Sequence, residues 1–133
     1  MSCFDNIKNE IFAANLKLTL MITASLANDL NYNDTKPNIS VLIETENSKE
    51  LRILMKKGQS MKEHQTPFPI VVEIFEGNIS FGVNGEKHNF KKGDMLSLEA
   101  SIPHDLEALS DSIIRLSLSK KDKVERVKDV ANN

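Results

Sequence analysis

Cysteine is almost absent from this sequence of 133 residues, in which Cys3 is the only thiol. One cysteine cannot form an intrachain disulfide, and this scarcity is typical of a reducing compartment, so we predict a cytoplasmic protein. A glycine-rich phosphate loop, a nucleophile elbow and a Cys-x-x-Cys pair are missing as well. The sequence therefore contains no motif for phosphate binding or for a serine or cysteine nucleophile.

An excess of positive charge and a long hydrophobic run are also lacking. Lysine and arginine total 17 against 19 acidic residues, a formal charge of −2, which argues against a nucleic-acid partner. The apolar run after Lys17 is shorter than the roughly 20 residues that span a membrane, so no membrane partner is expected. Asp5 and Glu10, which precede that run, are unusual for a secretory signal. The length suits one compact domain with its own core.

Residues 1–36 are predicted to form an arm that precedes the main domain. Asp5 is a suitable N-cap for a short amphipathic helix. Apolar residues then recur at helical spacing, at Phe4, Ile7, Ile11 and Ala14. Residues 16–22 alternate between apolar and other side chains, which favours a strand, although a longer helix remains an alternative. The asparagine- and aspartate-rich stretch before Pro37 predicts a loop that leads into the main domain.

Residues 37–120 have the pattern of an antiparallel β-sandwich or barrel. Nine short β-prone segments follow one another at regular spacing, most of them separated by glycine or a polar turn. Asn84 and Gly85 predict a tight type I′ hairpin. Residues 121–133 predict a short helix packed on the barrel, because Val124, Val127 and Ala131 would share one helical face.

Two spaced patterns in this region indicate a particular fold. The pattern G-x5-H-x-H-x3-E-x6-G is matched in spacing by Gly58, His64, Thr66, Ile70 and Gly77. The pattern G-x5-P-x-G-x2-H-x3-N is matched in spacing by Gly93, Glu99, Ser101, His104 and Ala108, of which only Gly93 and His104 keep the expected identity. These patterns resemble the two motifs of the cupins. The resemblance implies an all-β fold, a cupin jelly-roll β-barrel (double-stranded β-helix) with short N-terminal and C-terminal helical segments.

The same resemblance implies a metal site that has lost ligands. In cupins, two histidines and a glutamate of the first motif and a histidine of the second bind a divalent metal inside the barrel. Thr66 replaces the second histidine here and Ile70 replaces the glutamate, which leaves His64 and His104 as the predicted metal ligands. A weakly held divalent metal (Zn, Ni, Mn or Fe) or no cofactor is expected. The alternative is a pair that only hydrogen-bonds to water, to Thr66 or to each other. His88 is predicted to lie on the surface.

We predict that the barrel encloses a pocket for a small-molecule ligand. Its predicted lining residues are His64, Thr66, Ile70, Met61, Phe75, Met95 and His104. The leading interpretation is a small-molecule-binding or sensory protein rather than an enzyme. Two alternatives stay open: a metal-dependent cupin enzyme (isomerase, dioxygenase or decarboxylase) acting on a small acid or sugar derivative, and a structural dimer with a filled barrel. The arm from Phe4 to Leu26 predicts a homodimer, because an apolar edge strand must be covered.

Overall fold

Nine β-strands and a C-terminal helix make up residues 20–132, the part of the chain that the computed structural model describes. The strands are β1 (Asn38–Glu44), β2 (Ser48–Met55), β3 (Ser60–His64), β4 (Ile70–Glu76), β5 (Asn78–Val83), β6 (Glu86–Lys91), β7 (Met95–Leu98), β8 (His104–Ala108) and β9 (Ser112–Ser119). Each of the nine predicted β segments overlaps one of them, so the predicted all-β fold is confirmed. The helix is α1 (Val124–Asn132). The predicted N-terminal helix lies outside the described residues.

The strands form two antiparallel sheets that enclose the core. One sheet has the order β1-β2-β9-β4-β7 and the other has the order β3-β8-β5-β6. Successive side chains of a strand point to opposite faces, and in β4 the buried residues are Ile70, Val72 and Ile74. These side chains join residues of both sheets, such as Leu51 and Phe81, in one hydrophobic cluster. Burial of this cluster is the main source of stability.

Two turns depend on residues with positive φ. Asn84 and Gly85 have φ values of 53° and 78°, as both central residues of a type I′ turn require, so the predicted hairpin between β5 and β6 is confirmed. Gly77, between β4 and β5, has a φ of 99°. A Cβ at Gly77 would lie 2.1 Å from the hydroxyl oxygen of Ser112, so no side chain fits there. The last glycine of the first motif is thus required by backbone packing.

Helix α1 lies against the barrel, as predicted. Its buried residues are Val124, Val127, Val130 and Ala131, all members of the central cluster. Just before the helix, the carboxylate of Asp122 is buried and accepts hydrogen bonds from the backbone N–H of Lys123 and from Arg126. The apolar face of α1 therefore extends the protein core. No helix among residues 20–132 is both long and apolar enough to cross a membrane.

The strand predicted over residues 16–22 is wrong for its described part. Leu20, Met21 and Ile22 are in no strand, and their side chains are 80%, 75% and 51% exposed. A strand needs a hydrogen-bonding neighbour, and no strand within the described range pairs with this segment. The alternation of apolar residues favours a strand, but it does not indicate whether another strand lies beside it. Residues 16–19 lie outside the description.

Arg52 fixes the following segment to the outside of the larger sheet. In β2, Leu51 and Ile53 face the core, so Arg52 between them faces outward, yet it is only 7% exposed. Its guanidinium donates hydrogen bonds to the backbone carbonyl oxygens of Ser25 at 3.3 Å, Asn28 at 2.7 Å and Asp29 at 3.1 Å. A buried cation is tolerated where such dipoles surround it. Arg52 thus makes the chain around residues 25–29 part of the domain.

Replacing Arg52 by methionine should release this segment. The loss of hydrogen bonds from a charged donor should lower the free energy of unfolding by about 1.5–3 kcal/mol, measured by urea denaturation. Limited proteolysis should cut the variant faster between residues 20 and 36. Arg52→Lys keeps the charge but has fewer donors. Its free energy of unfolding and its cleavage rate should therefore lie between those of wild type and Arg52→Met. Equal urea midpoints and equal cleavage rates for wild type and Arg52→Met would show that the segment is held by other contacts.

Candidate functional site

His64 and His104 face each other across neighbouring strands. They are directly paired in the ladder between β3 and β8, and their ring centroids are 4.2 Å apart in an edge-on arrangement. Met61 pairs with Leu106, so three residue steps along β3 match two along β8. This β-bulge lets Met61 and His64 both face inward although their spacing is odd. The predicted proximity of the two histidines is confirmed.

Both imidazoles are held in a defined orientation. Nδ1 of His64 lies 2.6 Å from the carbonyl oxygen of Lys62, and Nδ1 of His104 lies 2.9 Å from that of Ile102. A carbonyl oxygen only accepts, so each Nδ1 carries the hydrogen and each Nε2 keeps its lone pair. Neither Nε2 has a hydrogen-bond partner among residues 20–132. The pair therefore offers two hydrogen-bond acceptors.

The environment keeps the two imidazoles neutral. Burial lowers the pKa of His64 from 6.5 to about 4, and the nearby charge of Arg126 acts in the same direction. Burial is also the main cause of the lowered pKa of His104, whose ring stacks on Phe81 at a centroid distance of 5.5 Å. Transfer of an imidazolium into such a space is unfavourable because its hydration is lost. Both rings thus accept hydrogen bonds at neutral pH.

The two histidines line a cavity of about 30 Å³ between the sheets. Its walls are formed by Ile53, Met61, His64, Thr66, Ile70, Val72, Phe81, His104, Leu106, Ile114, Leu116, Arg126 and Val127. A single water needs roughly 10–15 Å³, so this space accommodates about two waters. Apart from the histidines, Thr66 and Arg126, the lining is apolar. The cavity combines an apolar wall with a few convergent polar groups.

Five of the seven predicted lining residues are at this cavity, and Phe75 and Met95 are not. Phe75 lies at a β-bulge between Ile74 and Glu76, is partly exposed and belongs neither to the cavity lining nor to the core cluster. Met95 is 57% exposed, because Leu96 and Leu98 are the residues of β7 that pack on the core. The two-residue period of a strand corrects the assignment of Met95, and the bulge explains why no such period applies at Phe75. His88 is exposed, as predicted.

Arg126 was not identified from the sequence. It comes from α1, and its side chain reaches the cavity beside the histidines. Its Nε and Nη2 donate hydrogen bonds to the two carboxylate oxygens of Asp122 at 2.9 Å and 2.6 Å. The only signal in the sequence is an acid and an arginine four residues apart, a spacing that is common on solvent-exposed helices. Asp122 and Arg126 lie beside the cavity because α1 packs there, and the sequence does not reveal that packing.

The donor set does not fit a complete cupin metal site. The Thr66 hydroxyl donates to the carbonyl oxygen of Phe68, and Ile70 has no donor atom. Nearby acids lie elsewhere: Glu73 accepts a hydrogen bond from Arg115, and Asp105 lies against Gly82. Within the described range, no group of three or more His, Cys, Asp or Glu side chains could hold a metal ion. Two imidazoles alone are a weak site for any divalent metal.

Stability should fall in acid because of these histidines. The pKa of His64 is about 4 in the folded protein and 6.5 without its environment, so the unfolded chain binds the proton more readily. This contribution to stability is complete above pH 6.5 and is lost as the pH falls toward 4. Urea denaturation across this range should show a smaller pH dependence for His64→Gln than for wild type. His88→Gln, at an exposed site, is the control; parallel curves for wild type and His64→Gln would contradict this account.

Solved structures provide the available comparisons, since no protein-family model and no curated protein matches the sequence. An RmlC-like cupin protein from Desulfovibrio desulfuricans is similar with a TM-score of 0.69 and 22% identity over 74% of this chain and 96% of that one. For a protein from Klebsiella pneumoniae with a double-stranded β-helix domain, the TM-score is 0.64 and the identity is 20%, over 73% of this chain and 87% of that one. For KdgF from Halomonas, the TM-score is 0.65 and the identity is 16%, over 80% of this chain and 99% of that one.

Fold and comparisons agree. The two sheets, the positions of Gly58 and Gly77 at the ends of the first pattern and the inward-facing His64 and His104 correspond to the motif-based expectation. At these levels of identity the similarity establishes the architecture and leaves the activity to be argued from the site. The chain has the cupin double-stranded β-helix fold.

Proposed function

We propose that this protein binds a compact, uncharged small molecule between its sheets, through hydrogen bonds from the ligand to His64 and His104. The observation that supports this proposal is the pair of neutral imidazoles whose Nδ1 atoms are occupied and whose Nε2 atoms are free to accept. Each free Nε2 accepts a hydrogen bond, so a ligand with O–H or N–H groups finds two acceptors side by side here.

The cavity also defines the size and polarity of the proposed ligand. Its volume of about 30 Å³ admits only a few non-hydrogen atoms before a wall must move. Val127 in this wall belongs to α1, outside both sheets, so its side chain can shift without breaking a strand ladder. The remaining lining is mostly aliphatic. An alcohol or amide with a small apolar body matches these features.

Binding is favoured over catalysis by the chemistry of the lining. No carboxylate of residues 20–132 lines the cavity, and an imidazole whose pKa is lowered, as those of His64 and His104 are, is a weaker base. A metal-dependent isomerase, dioxygenase or decarboxylase would need ligands that Thr66 and Ile70 do not supply. A filled structural barrel is the other alternative, and the free Nε2 atoms argue against it. A cytoplasmic location stays a proposal based on the single cysteine.

Two small probes of similar shape test this function. 2-Propanol donates a hydrogen bond and acetone only accepts one, so 2-propanol should bind several-fold more tightly, since only 2-propanol can donate to the free Nε2 atoms and such a hydrogen bond contributes about 0.5–1.5 kcal/mol. Titrations followed by NMR should shift the side-chain resonances of His64 and His104 in a saturable way. His64→Phe should lose this preference, whereas His88→Gln should keep it. Equal affinities for the two probes, or no saturable shift, would refute the proposed function.

We also propose a homodimer in which the N-terminal arm covers an apolar surface. Leu20, Met21 and Ile22 are exposed, and so is Val41 on the edge strand β1. Three consecutive exposed apolar side chains are unusual on a monomer, and an edge strand offers unpaired backbone groups. A second copy of this chain presents the same two features, so each subunit could cover the other.

Light scattering should report twice the mass of one chain. Ile22→Asp should shift the protein toward the monomer, because it places a charge within the proposed contact. Thr23→Asp, at the neighbouring exposed position, adds the same charge to a polar residue and should have a smaller effect. A wild-type protein that is monomeric at high concentration would rule out the dimer.

A further inference from the structure

We propose that Arg126 is a specificity-determining residue of this cavity, whose positive charge excludes cations, divalent metal ions included, and reserves the His64–His104 pair for uncharged hydrogen-bond donors. This inference rests on the proposed function in placing the ligand at the histidine pair. It goes further by assigning selectivity to a residue of α1 outside both sequence patterns.

The position of Arg126 is fixed by contacts on two sides. Asp122, which is 95% buried, holds the Nε and Nη2 edge of the guanidinium through both of its carboxylate oxygens. Nη1, on the other side, approaches the carbonyl oxygen of Gln65, the residue next to His64, at 3.5 Å. An arginine held in this bidentate way loses little further freedom, so its charge stays beside the cavity.

The balance of charge at the cavity is positive. Arg126 lines the cavity and its partner Asp122 does not, so the guanidinium is the member of this ion pair that lies at the cavity wall. Arg126 is within electrostatic range of both His64 and His104. Asp105 acts in the opposite direction, but it lies against Gly82 and does not line the cavity. Repulsion is strong where apolar walls exclude water.

Two imidazole lone pairs would otherwise attract any small cation. Zinc, nickel and cobalt ions bind imidazole, and a site with two histidines and water in the other positions is weak but measurable. Missing ligands at Thr66 and Ile70 lower that affinity without making the cavity selective. A fixed guanidinium opposes an ion of either one or two positive charges, and it does not repel a neutral alcohol or amide. Arg126 therefore distinguishes these two classes of ligand at the same acceptors.

The test removes the charge and keeps a hydrogen-bonding side chain. Arg126→Gln should bind Co²⁺ at least roughly tenfold more tightly than wild type, because a repulsion acting through a low-dielectric cavity is lost. Paramagnetic broadening of the His64 and His104 NMR signals measures this binding. Arg126→Lys keeps the charge but not the bidentate contact with Asp122, so its Co²⁺ affinity should lie closer to that of wild type than to that of Arg126→Gln. Lys128→Gln removes one charge from an exposed position of the same helix and should change the affinity less than twofold.

Separate outcomes distinguish the two proposals. The charge proposal is overturned if Arg126→Gln leaves the Co²⁺ affinity unchanged, or if Arg126→Lys raises it as much as Arg126→Gln does. In a parallel titration with 2-propanol, the affinity should change by a smaller factor between wild type and Arg126→Gln than the Co²⁺ affinity does, since an uncharged ligand is not repelled. If 2-propanol binds neither protein while the Co²⁺ results follow the expectation, the charge filter stands and the proposed ligand class is wrong.

Discussion

One extra residue in β3 is the constraint on which the site depends. Without the bulge between Met61 and His64, strict alternation would turn His64 to the outer face, and no pair with His104 could form. The bulge is possible because β3 is an edge strand of its sheet, where a local change of register disturbs only one neighbour. The position of one polar side chain inside the core thus follows from a local irregularity in strand pairing.

The space around His64 and His104 is lined mostly by apolar side chains, yet it also holds a few polar groups. A cavity lined by Ile53, Ile114 and Leu116 favours neutral groups, and the two imidazoles satisfy this by staying uncharged and by giving their N–H hydrogens to backbone carbonyls. Helix α1 completes the wall with Val127 and brings a paired charge, Arg126. The resulting space is small, polar at a few defined atoms and distinct from the metal-centred arrangement that the first motif describes in cupins.

Much of this fold could be predicted from the sequence, because its signals are local. Strand alternation, the Asn84–Gly85 turn and the apolar face of α1 each act over a few residues. His64 and His104 were found through motif spacing. Phe75 and Met95 were misplaced because an apolar residue type does not determine which face of a strand a side chain occupies, least of all at the bulge beside Phe75. Arg126 was missed since its role depends on where α1 packs, and a contact between distant segments leaves no local pattern.

The hydrogen bonds that Arg52 donates to the backbone around residues 25–29 have an evolutionary consequence. Every acceptor that it uses around residues 25–29 is a backbone carbonyl, a group that all amino acids carry. These contacts with Arg52 therefore place no demand on side chains except those that shape the backbone: Ser25, whose hydroxyl accepts hydrogen bonds from the N–H groups of Ala27 and Asn28, and Asp29, whose φ of 53° few residue types adopt. Related chains should preserve the arginine on the second strand, while the positions between these two residues change their amino acids more freely.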